Sequence, residues 1–437
     1  MASLTSRLKL RKPATTDTVN VDTDLSANFD AIDLAANFQV CTSGTRPSAP
    51  YTGLSIFETD TSKILVYNGT SWVVITQSVL LDTIQNKTFD TTNVFNGTVN
   101  PPVSTSFKNG FINGSFDIWQ RGTSVTLTGG QTGYTCDRWV GVSGTGATNV
   151  FTRTALTLGA IVDQAKYRVD WNRSVVGTTD STWSQRIEGV QRFAGQQVTV
   201  SAYLTASAGS IDFQFRSRQN FGTTGSPSAD VGPTAQGGTQ TATTTRTRFS
   251  ATFTVPSISG KTLGTDNNDF LEIQLFRAFN ATNGTTGTLQ IEDMQIEAGP
   301  VATSVERIPV ADTLLRCQRY YIRWTGDAGG AVYVANGLAP STTAAVVLIS
   351  LSTPLRALPA LSTSANTDIL FASATNVGQA SSAAPTVYGS PAIAGPGAGI
   401  ALIRITGTVA SGLASGNATL MSIAAGATKF FALDAEL

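Results

Sequence analysis

The strongest constraint on the fold of this chain is a series of short β-strand candidates that fills residues 107–310. In YRVDW and VSAYLTA, apolar and polar side chains alternate, as in strands with one face in a core and the other in water. Turns rich in Gly, Asn and Thr separate the candidates, and many short strands of this kind predict a β-sandwich. The candidates are VTLTG, TNVFTRTAL, YRVDW, TWSQRIEGV, VTVSAYLTA, IDFQFRSR, TRFSATFTV, FLEIQLFRAF and LQIEDMQIEA.

The composition of the whole chain indicates the same class. Of the 437 residues, 41 are glycine and only 13% are charged, and Thr, Ser, Ala and Asn are abundant. Such a composition favours strands and turns over helices. The length indicates about two to four domains. We therefore predict an all-β, modular chain.

The region after LLRCQRYYIRW shifts in composition to Ala, Ser, Thr, Gly and Pro. It contains further strand candidates in AVVLISLS, in residues 399–408 and in KFFALDAEL. We interpret residues 311–437 as a second, smaller β domain. A short helix is expected at its start, because Leu314, Leu315 and Tyr321 straddle a charged stretch.

The N-terminal segment, residues 1–40, contains one amphipathic helix candidate in DTDLSANFDAIDLAANF, with Thr23 and Asp24 as capping candidates. Its apolar stripe consists of Leu25, Phe29, Ile32 and Ala36. A short helix with a single stripe is not stable alone, so it must pack against another surface. That surface belongs either to its own chain or to an assembly partner. In the second case Leu25, Phe29 and Ile32 form an assembly interface.

Residues 41–78 are predicted to form a small β meander from LSIFETD, KILVYNG and SWVVI, which polar turns separate. The next segment, residues 79–106, has isolated apolar side chains among Asn, Thr, Gly and Asp, too few for the core of a single chain. One interpretation is a flexible linker. The other is a neck in which three chains intertwine, since association supplies the burial that one chain lacks.

Several classes of function are disfavoured by what the sequence lacks. Lys and Arg together number 29, and so do Asp and Glu, which gives a net charge of zero. Because the sequence also contains no basic run, we expect no nucleic-acid partner and no anionic membrane partner. No histidine is present, which removes imidazole catalysis and His-ligated metals. Cys41, Cys136 and Cys317 have no CxxC spacing and are expected to be free, buried thiols. We expect no cofactor and no metal, and interpret residues 266–269 as a turn rather than a calcium site.

Targeting and membrane segments are not expected either. The N-terminus has a basic start without an apolar stretch after it, which is unlike a secretory signal or a membrane anchor. The longest aliphatic run, residues 344–349, is too short to cross a bilayer. We therefore predict no membrane insertion.

Several segments resemble ones that recur in bacteriophage tail-fibre proteins. They are FINGSFDIWQRGTS, YTCDRW, IEDMQIEAGPVATSVER running into CQRYY, FFALDAEL, RPSAPYTGLSIFETDTSKILVYNGTSW and QNKTFDTTNVFNGTV. The resemblance implies a jelly-roll domain related to carbohydrate-binding modules over residues 107–310. It also implies a homotrimer, an N-terminus attached to other virion proteins of the tail or baseplate, and a distal host-binding end. At Cys136 the motif commonly has a small residue such as alanine, and a thiol is nearly as small and apolar.

Sugar-binding faces combine aromatic rings, which stack on sugars, with amides and carboxylates that bond to hydroxyls. We predict a ligand-binding set with that mixture: Trp171, Asp170, Asn172, Trp183 and Gln185. The alternative for Trp171 is a place in the core, because it ends a predicted strand. Trp119 and Trp139 are interpreted as core residues.

These observations together predict a virion protein of the tail-fibre type that attaches to the host through a cell-surface glycan or protein. One alternative is a structural appendage of the head or baseplate without a receptor role. The other is a polysaccharide hydrolase, for which the candidate carboxylates are Asp163, Asp170, Asp180 and Glu188. The long β-helical repeat typical of depolymerases is absent from the sequence, so we predict that the chain is not an enzyme.

Overall fold

The computed structural model describes residues 3–4, 11–12, 18, 20–36, 39–75, 108–157, 159, 164–373, 379–380, 383–391 and 400–437. Two compact units are present, Met1–Asn100 and Pro101–Leu437. Strands dominate the second unit and the chain as described, so the prediction of an all-β fold is confirmed. The predicted neck at residues 79–106 lies entirely outside the described residues. Among the described residues, no helix combines the length and the apolarity that a bilayer crossing requires.

The N-terminal unit begins with a short antiparallel pair, β1 (Ser3–Leu4) and β2 (Arg11–Lys12). The predicted helix is present as a π-helical turn, Val21–Ser26, that continues into α1 (Ala27–Ala36). The side chain of Asn20 accepts a hydrogen bond of 2.9 Å from the Asp22 amide at its start. The prediction of Thr23 and Asp24 as capping residues is therefore wrong, because both lie inside the helical segment.

The helix stripe is exposed in this chain: Leu25 is 44%, Phe29 65% and Ile32 43% exposed. The meander that follows is a four-stranded sheet, formed by β3 (Gln39–Cys41), β4 (Ser55–Glu58), β5 (Lys63–Tyr67) and β6 (Trp72–Val74). The three predicted strands are confirmed as β4 to β6, and β3 joins them by parallel pairing with β4.

The second unit contains a jelly-roll sandwich of two six-stranded antiparallel sheets. Its strands are β7 (Ser124–Thr128), β8 (Thr132–Tyr134), β9 (Trp139–Val142), β10 (Thr148–Ala155), β11 (Tyr167–Val175), β12 (Ser181–Glu188), β13 (Gln197–Ala206), β14 (Ser210–Asn220), β15 (Val231–Thr243), β16 (Thr247–Thr254), β17 (Phe270–Arg277) and β18 (Gly287–Ala298). The first sheet has the order β16-β13-β18-β11-β10-β7, and the second sheet β15-β14-β17-β12-β9-β8. Their facing sides enclose one large apolar core.

The segments that resemble tail-fibre motifs meet at one corner of this sandwich. The Asn113 side chain donates to the backbone oxygens of Ile118 (2.9 Å) and Asp137 (3.1 Å). The Trp139 indole donates to the backbone oxygen of Asn113 at 3.1 Å, and the Met294 amide donates to the Gly114 oxygen at 2.9 Å. Three separate motif segments are thus tied together by buried hydrogen bonds, which stabilise this corner.

Trp119 and Trp139 are core residues, as predicted, with 8% and 0% of their surface exposed. Cys136 and Cys317 are free, buried thiols, as predicted, whereas Cys41 is free but only half-buried. A thiol at position 136 therefore fits the core, as the small size of sulfur suggested.

The C-terminal part begins with α2 (Val310–Gln318), which confirms the helix predicted there. Its strands are β19 (Tyr321–Thr325), β20 (Val332–Leu338), β21 (Ala344–Leu355), β22 (Ala360–Thr363), β23 (Ile369–Ser373), β24 (Gln379–Ala380), β25 (Thr386–Pro391), β26 (Ile400–Thr408), β27 (Ala418–Ile423) and β28 (Phe430–Asp434), with a 3₁₀ turn at Asn366–Asp368. They form a three-stranded sheet, β19-β28-β22, and a seven-stranded sheet, β24-β23-β27-β20-β21-β26-β25. A separate apolar core lies between them.

Buried charges join the C-terminal part to the sandwich within this unit. Arg138 is 1% exposed, forms an ion pair with Glu436, and stacks 3.4 Å from the ring centre of Tyr320. Burial would lower the pKa of the Arg138 guanidinium, but the Glu436 carboxylate outweighs it and raises that pKa. Arg121 pairs with Asp434 at 3.1 Å in the same region. These contacts fix the final strand against the sandwich.

Candidate functional site

The two tryptophans of the predicted sugar-binding set are core residues. Trp171 and Trp183 are both 0% exposed. The Trp171 indole donates to the Asn149 side chain at 2.8 Å, and the Trp183 indole donates to the Thr135 hydroxyl at 2.9 Å. Neither ring presents a face to solvent. Their assignment as a sugar platform is therefore wrong in this structure, and the alternative of a core position for Trp171 is correct.

The polar members of that set do not all lie together, because Gln185 is separate from Asp170 and Asn172. Gln185 is 1% exposed, and its amide bonds to the backbone of Ile112 in both directions, at 2.8 and 2.7 Å. Asp170 and Asn172 lie on β11 in the first sheet, whereas Gln185 lies on β12 in the second. The Asp170 carboxylate accepts from Arg168 at 2.7 Å. The structure leaves Asp170 and Asn172 as half-buried surface residues, apart from the others.

A different polar surface lies on the outer face of the second sheet. Strands β14, β17 and β12 are adjacent there, and their registers align side chains in rows across the three strands. The rows are Arg218–Glu272–Arg186, Arg216–Gln274–Ser184 and Gln214–Phe276–Thr182. Arginines and amides outnumber apolar side chains in these rows. We name this surface the outer face.

Glu272 is the centre of the outer face and is only 3% exposed. Its carboxylate accepts hydrogen bonds from the Ser184 hydroxyl at 2.7 Å and the Gln274 amide at 3.0 Å. Arg218 lies 3.4 Å from it and Arg186 lies 3.9 Å from it. The carboxylate is thus paired and hydrogen-bonded, as a buried charge must be. Glu272 consequently orders the polar side chains around it.

Arg216 lies in the row of the outer face next to that of Glu272. Its guanidinium lies 3.1 Å from the ring centre of Phe276, and its Nε donates to the Gln214 amide oxygen at 2.9 Å. In the described part of the chain no carboxylate forms an ion pair with it. Burial lowers the pKa of Arg216, although the Asp180 carboxylate opposes that shift. A planar guanidinium over a ring leaves donors for a ligand.

A cavity of about 260 Å³ is lined by Gln214 and Phe276, the two residues that Arg216 contacts. Four residues of the loop after β17 also line it and form its rim: Ala278, Asn280, Ala281 and Thr282. The remaining polar wall comes from Asp212 and Thr239. We name this cavity the rim pocket. Its volume is near the lower end of ligand pockets, roughly 300–1,000 Å³, a size that suits one or two sugar units.

Two buried arginines hold the rim from below. Arg173 and Arg277 are 1% and 0% exposed. Arg277 donates to the backbone oxygens of Gly284 and Gly287 at 3.1 and 3.0 Å, and Arg173 donates to that of Ala278 at 2.8 Å. Burial lowers the pKa of Arg173 to about 10 and that of Arg277 to about 9, the latter also through repulsion from Arg173. Both remain charged at pH 7.

Asp212 holds the rim from the side. Its carboxylate accepts hydrogen bonds from the Asn283 amide at 2.9 Å and from the Thr241 hydroxyl at 2.7 Å. The loop after β17 is therefore fixed to the sheet by three buried or half-buried charges. A rim held in place before ligand arrives loses little conformational entropy on binding.

Of the carboxylates considered for hydrolysis, Glu188 is held by partners that disfavour the role of a general acid. Glu188 accepts from Arg319 at 2.7 Å and from the Tyr320 hydroxyl at 2.6 Å. Burial would raise its pKa, but these partners outweigh burial and lower it. A general acid needs the opposite shift. Asp180 instead accepts from the Phe279 amide at 3.0 Å, and Asp163 lies outside the described residues.

Metal binding gains no support from the described ranges, where no group of three or more Cys, Asp and Glu side chains is placed to hold an ion. In the segment 266–269, the Asp266 carboxylate accepts from the Thr223 amide at 3.1 Å and the Asn268 amide at 3.3 Å. The bond from Asn268, two residues further on, is typical of the turn that the sequence predicts, and the bond from Thr223 joins this turn to another loop.

Comparison with known proteins gives only distant matches. No family model matches the chain, and no curated protein does. Among solved structures, the CBM22-1 xylan-binding domain of Paenibacillus barcinonensis Xyn10C is 10% identical, with a TM-score of 0.25 over 43% of this chain and 93% of that one. The family 11 carbohydrate-binding module of Clostridium thermocellum is 11% identical, with a TM-score of 0.26 over 41% and 98%.

A phage protein is also among the solved structures that match. The enzymatically active domain of bacteriophage CBA120 tailspike protein 4 is 11% identical, with a TM-score of 0.26 over 44% of this chain and 22% of that one. Similarity this distant decides nothing about function. The geometry of this chain and its motifs are what bear on function.

Proposed function

We propose that this chain is a virion attachment protein of the tail-fibre type that binds a host-surface glycan in the rim pocket. The observation that carries the proposal is Arg216 over Phe276, beside the Gln214 amide and a rim fixed by buried charges. Planar amides and guanidinium groups suit the adjacent hydroxyls of a sugar, since each offers several donors or acceptors in one plane. A fixed rim favours binding without rearrangement.

The tail-fibre assignment is supported by the motifs rather than by the pocket. FINGSFDIWQRGTS, YTCDRW and IEDMQIEA resemble tail-fibre segments, and here they build the corner of the sandwich. In this proposal the protein is located in the virion, and its N-terminal segment docks on other tail or baseplate proteins.

The homotrimer belongs to the same proposal. Leu25, Phe29 and Ile32 are exposed on one helix, as an assembly interface requires. Three rim pockets on one fibre would gain affinity through effective concentration, which suits a weak monovalent site. Cross-linking and light scattering of the full chain, with Phe29→Asp as the variant, test this step. An unchanged trimer in the variant, or a monomeric wild type, contradicts the proposed interface.

The direct test is adsorption of the fluorescently labelled full chain to host cells, with extracted surface polysaccharide as competitor. We expect saturable, competable binding that Arg216→Ala and Gln214→Ala weaken by at least roughly tenfold, the loss of one or two strong hydrogen bonds. The matched control is Asn172→Ala, which removes an amide from the outer side of the first sheet and should bind as wild type.

Other outcomes separate the alternatives. If Asn172→Ala loses adsorption while Arg216→Ala and Gln214→Ala keep it, the glycan site lies on the first sheet and not in the rim pocket. A folded chain that ignores host cells and polysaccharide would favour the structural appendage. Release of reducing sugars from host polysaccharide would favour the hydrolase.

A further inference from the structure

A second concave site lies between the sandwich and helix α2, and it shares no lining residue with the rim pocket. It is a cleft of about 420 Å³, within the usual size of ligand pockets, roughly 300–1,000 Å³. Its walls are the end of β12, residues 189–192, and α2 with the two residues after it. The charged side chains that line it are Arg138, Arg186, Arg192, Arg316, Arg319 and Glu188. We name it the arginine cleft.

The arginine cleft concentrates positive charge in a chain that is neutral overall. Lys and Arg balance Asp and Glu at 29 each along the sequence, yet five arginines and one carboxylate side chain line this cavity. Glu436 neutralises Arg138 from outside the cleft. The one lining carboxylate, Glu188, is held by Arg319 at 2.7 Å and by Tyr320 at 2.6 Å. Glu188 is therefore engaged by Arg319 and Tyr320, and Arg186 has the Glu272 carboxylate, which does not line the cleft, at 3.9 Å.

Two of these arginines have donors to spare. Arg192 is exposed, and no residue of the described ranges bonds to its guanidinium, which lies 5.3 Å from the ring centre of Phe193. Arg186 donates from Nη1 to the backbone oxygen of Leu437, and its Nε forms no hydrogen bond but lies 3.9 Å from the Glu272 carboxylate. Since each guanidinium carries five N–H donors, most of the donors on these two side chains lack an acceptor within the part of the chain that the structure describes.

We propose that the arginine cleft binds a compact oxyanion, the carboxylate or phosphate group of an acidic sugar. Guanidinium groups match the planar, two-oxygen geometry of these anions and form the stronger, charge-assisted hydrogen bonds. Burial of the cleft walls between two packed parts of one unit also reduces screening by solvent. This inference goes beyond the proposed function, because an anion site can exist whether or not the chain attaches a virion to a host.

The test is isothermal titration of the full chain with glucose, glucuronate and glucose 6-phosphate, which share a ring and differ in charge. We expect binding of glucuronate, glucose 6-phosphate or both, and tighter binding at low salt than at high salt. The anion that binds identifies the source of the charge, a uronic acid or a sugar phosphate. Equal binding of glucose, or no binding of either anion at millimolar concentration, overturns the proposal.

Two variants locate the site. Arg192→Gln removes the exposed guanidinium, and the isosteric Gln191→Glu adds a carboxylate to the cleft wall without changing side-chain shape. Each should weaken anion binding by at least roughly tenfold, the scale of one charge-assisted hydrogen bond. The matched control is Gln196→Glu, an exposed position outside the cleft, which should bind as wild type.

The control also distinguishes the effect of a negative charge inside the cleft from the effect of the net charge of the protein. If Gln196→Glu weakens binding as much as Gln191→Glu, or if Arg192→Gln binds as wild type, the cleft is not the anion site. Soluble probes and cleft variants give these answers independently of host cells and of Arg216, so a failure here leaves the rim pocket untouched.

Discussion

Arg173 donates a hydrogen bond of 3.0 Å from Nη1 to the backbone oxygen of Arg277, so two like charges lie together inside the sandwich. Neither forms an ion pair with a described residue. Their donors instead satisfy backbone oxygens of the loop that forms the rim pocket. The desolvation of two guanidinium groups opposes folding. Their hydrogen bonds in return hold the loop of the rim pocket in one conformation.

Replacement of Arg277 should therefore destabilise the fold and loosen the rim. In Arg277→Lys, a single ammonium replaces a fork that reaches three backbone oxygens, so buried acceptors lose their partners. We expect a loss of about 3 kcal/mol in the free energy of unfolding, measured by urea denaturation. Arg404→Lys, at an exposed arginine on β26, is the control and should change it by less than about 0.5 kcal/mol. Equal effects in the two variants would contradict the rim role.

Trp183 should matter for stability and not for ligand contact. Its ring stacks on that of Trp139 with 4.4 Å between centres and is fully buried. Trp183→Ala should lower the free energy of unfolding by about 3–5 kcal/mol, while the exposed Tyr388→Ala should change it little. Chemical denaturation measures both. A Trp183→Ala variant that is as stable as wild type but does not adsorb to host cells would indicate that Trp183 contacts the ligand.

The buried pair of Arg138 and Glu436 should show strong coupling. Glu436→Gln leaves Arg138 buried without its counter-charge, which we expect to destabilise the protein by about 3–5 kcal/mol. Adding Arg138→Met to that variant should recover part of the loss, because no unpaired charge then remains. A double-mutant cycle measured by urea denaturation gives the coupling. Additive effects of the two changes would show that the pair does not act as a unit.

The ion pair of Glu188 and Arg319 should make stability depend on acid pH. An unfolded Glu titrates near about 4.3, and the pKa of Glu188 is lowered in the folded chain because the Arg319 and Tyr320 bonds outweigh burial. Its contribution is thus complete above the unfolded value and is lost as pH falls through the folded value. Urea midpoints from pH 6 to pH 3 should fall less steeply for Glu188→Gln than for wild type. Parallel curves would contradict this linkage.

The three thiols should differ in reactivity. Burial raises the pKa of Cys136 and Cys317 well above the usual thiol value, and Cys41 is only half-buried. At pH 8 a thiol reagent should modify Cys41 first in the native protein, and the other two only after unfolding, because thiolate and access are both required. Mass spectrometry of the labelled peptides identifies each site. Early labelling of Cys317 would indicate that α2 opens.

Most strands of the sandwich could be predicted from the sequence. All nine strand candidates are strands in the structure, because the alternation of apolar and polar side chains is typical of a strand with one face in the core and the other toward solvent. The strands missed are β8, β9 and β15, and two of these, β8 and β15, are the edges of the second sheet. An edge strand such as VGPTAQGGTQTAT gets its hydrogen bonds from one neighbour and buries few side chains, so its sequence carries little alternation.

The site was predicted less well because residue type alone does not give the direction of a side chain. In β11, Val169, Trp171 and Arg173 share the inward face, while Asp170 and Asn172 point outward. The alternation was visible in YRVDW and would have placed Trp171 in the core. Arg173 occupies the next alternate position after Val169 and Trp171, and this pattern could have predicted an arginine that is buried beneath the rim. The rows of the outer face depend on register between distant strands, which no local pattern specifies.

Strand β17 (Phe270–Arg277) is buried at all eight positions, although only one of its faces lies in the sandwich core. Core packing constrains one face, and the charges and ring contacts of the outer face constrain the other. No residue of β17 can change without disturbing a partner on β12 or β14, so sequence drift should be slow there. The exposed loop that follows has more freedom. New ligand preferences in proteins built this way would therefore arise in the rim, over an unchanging strand.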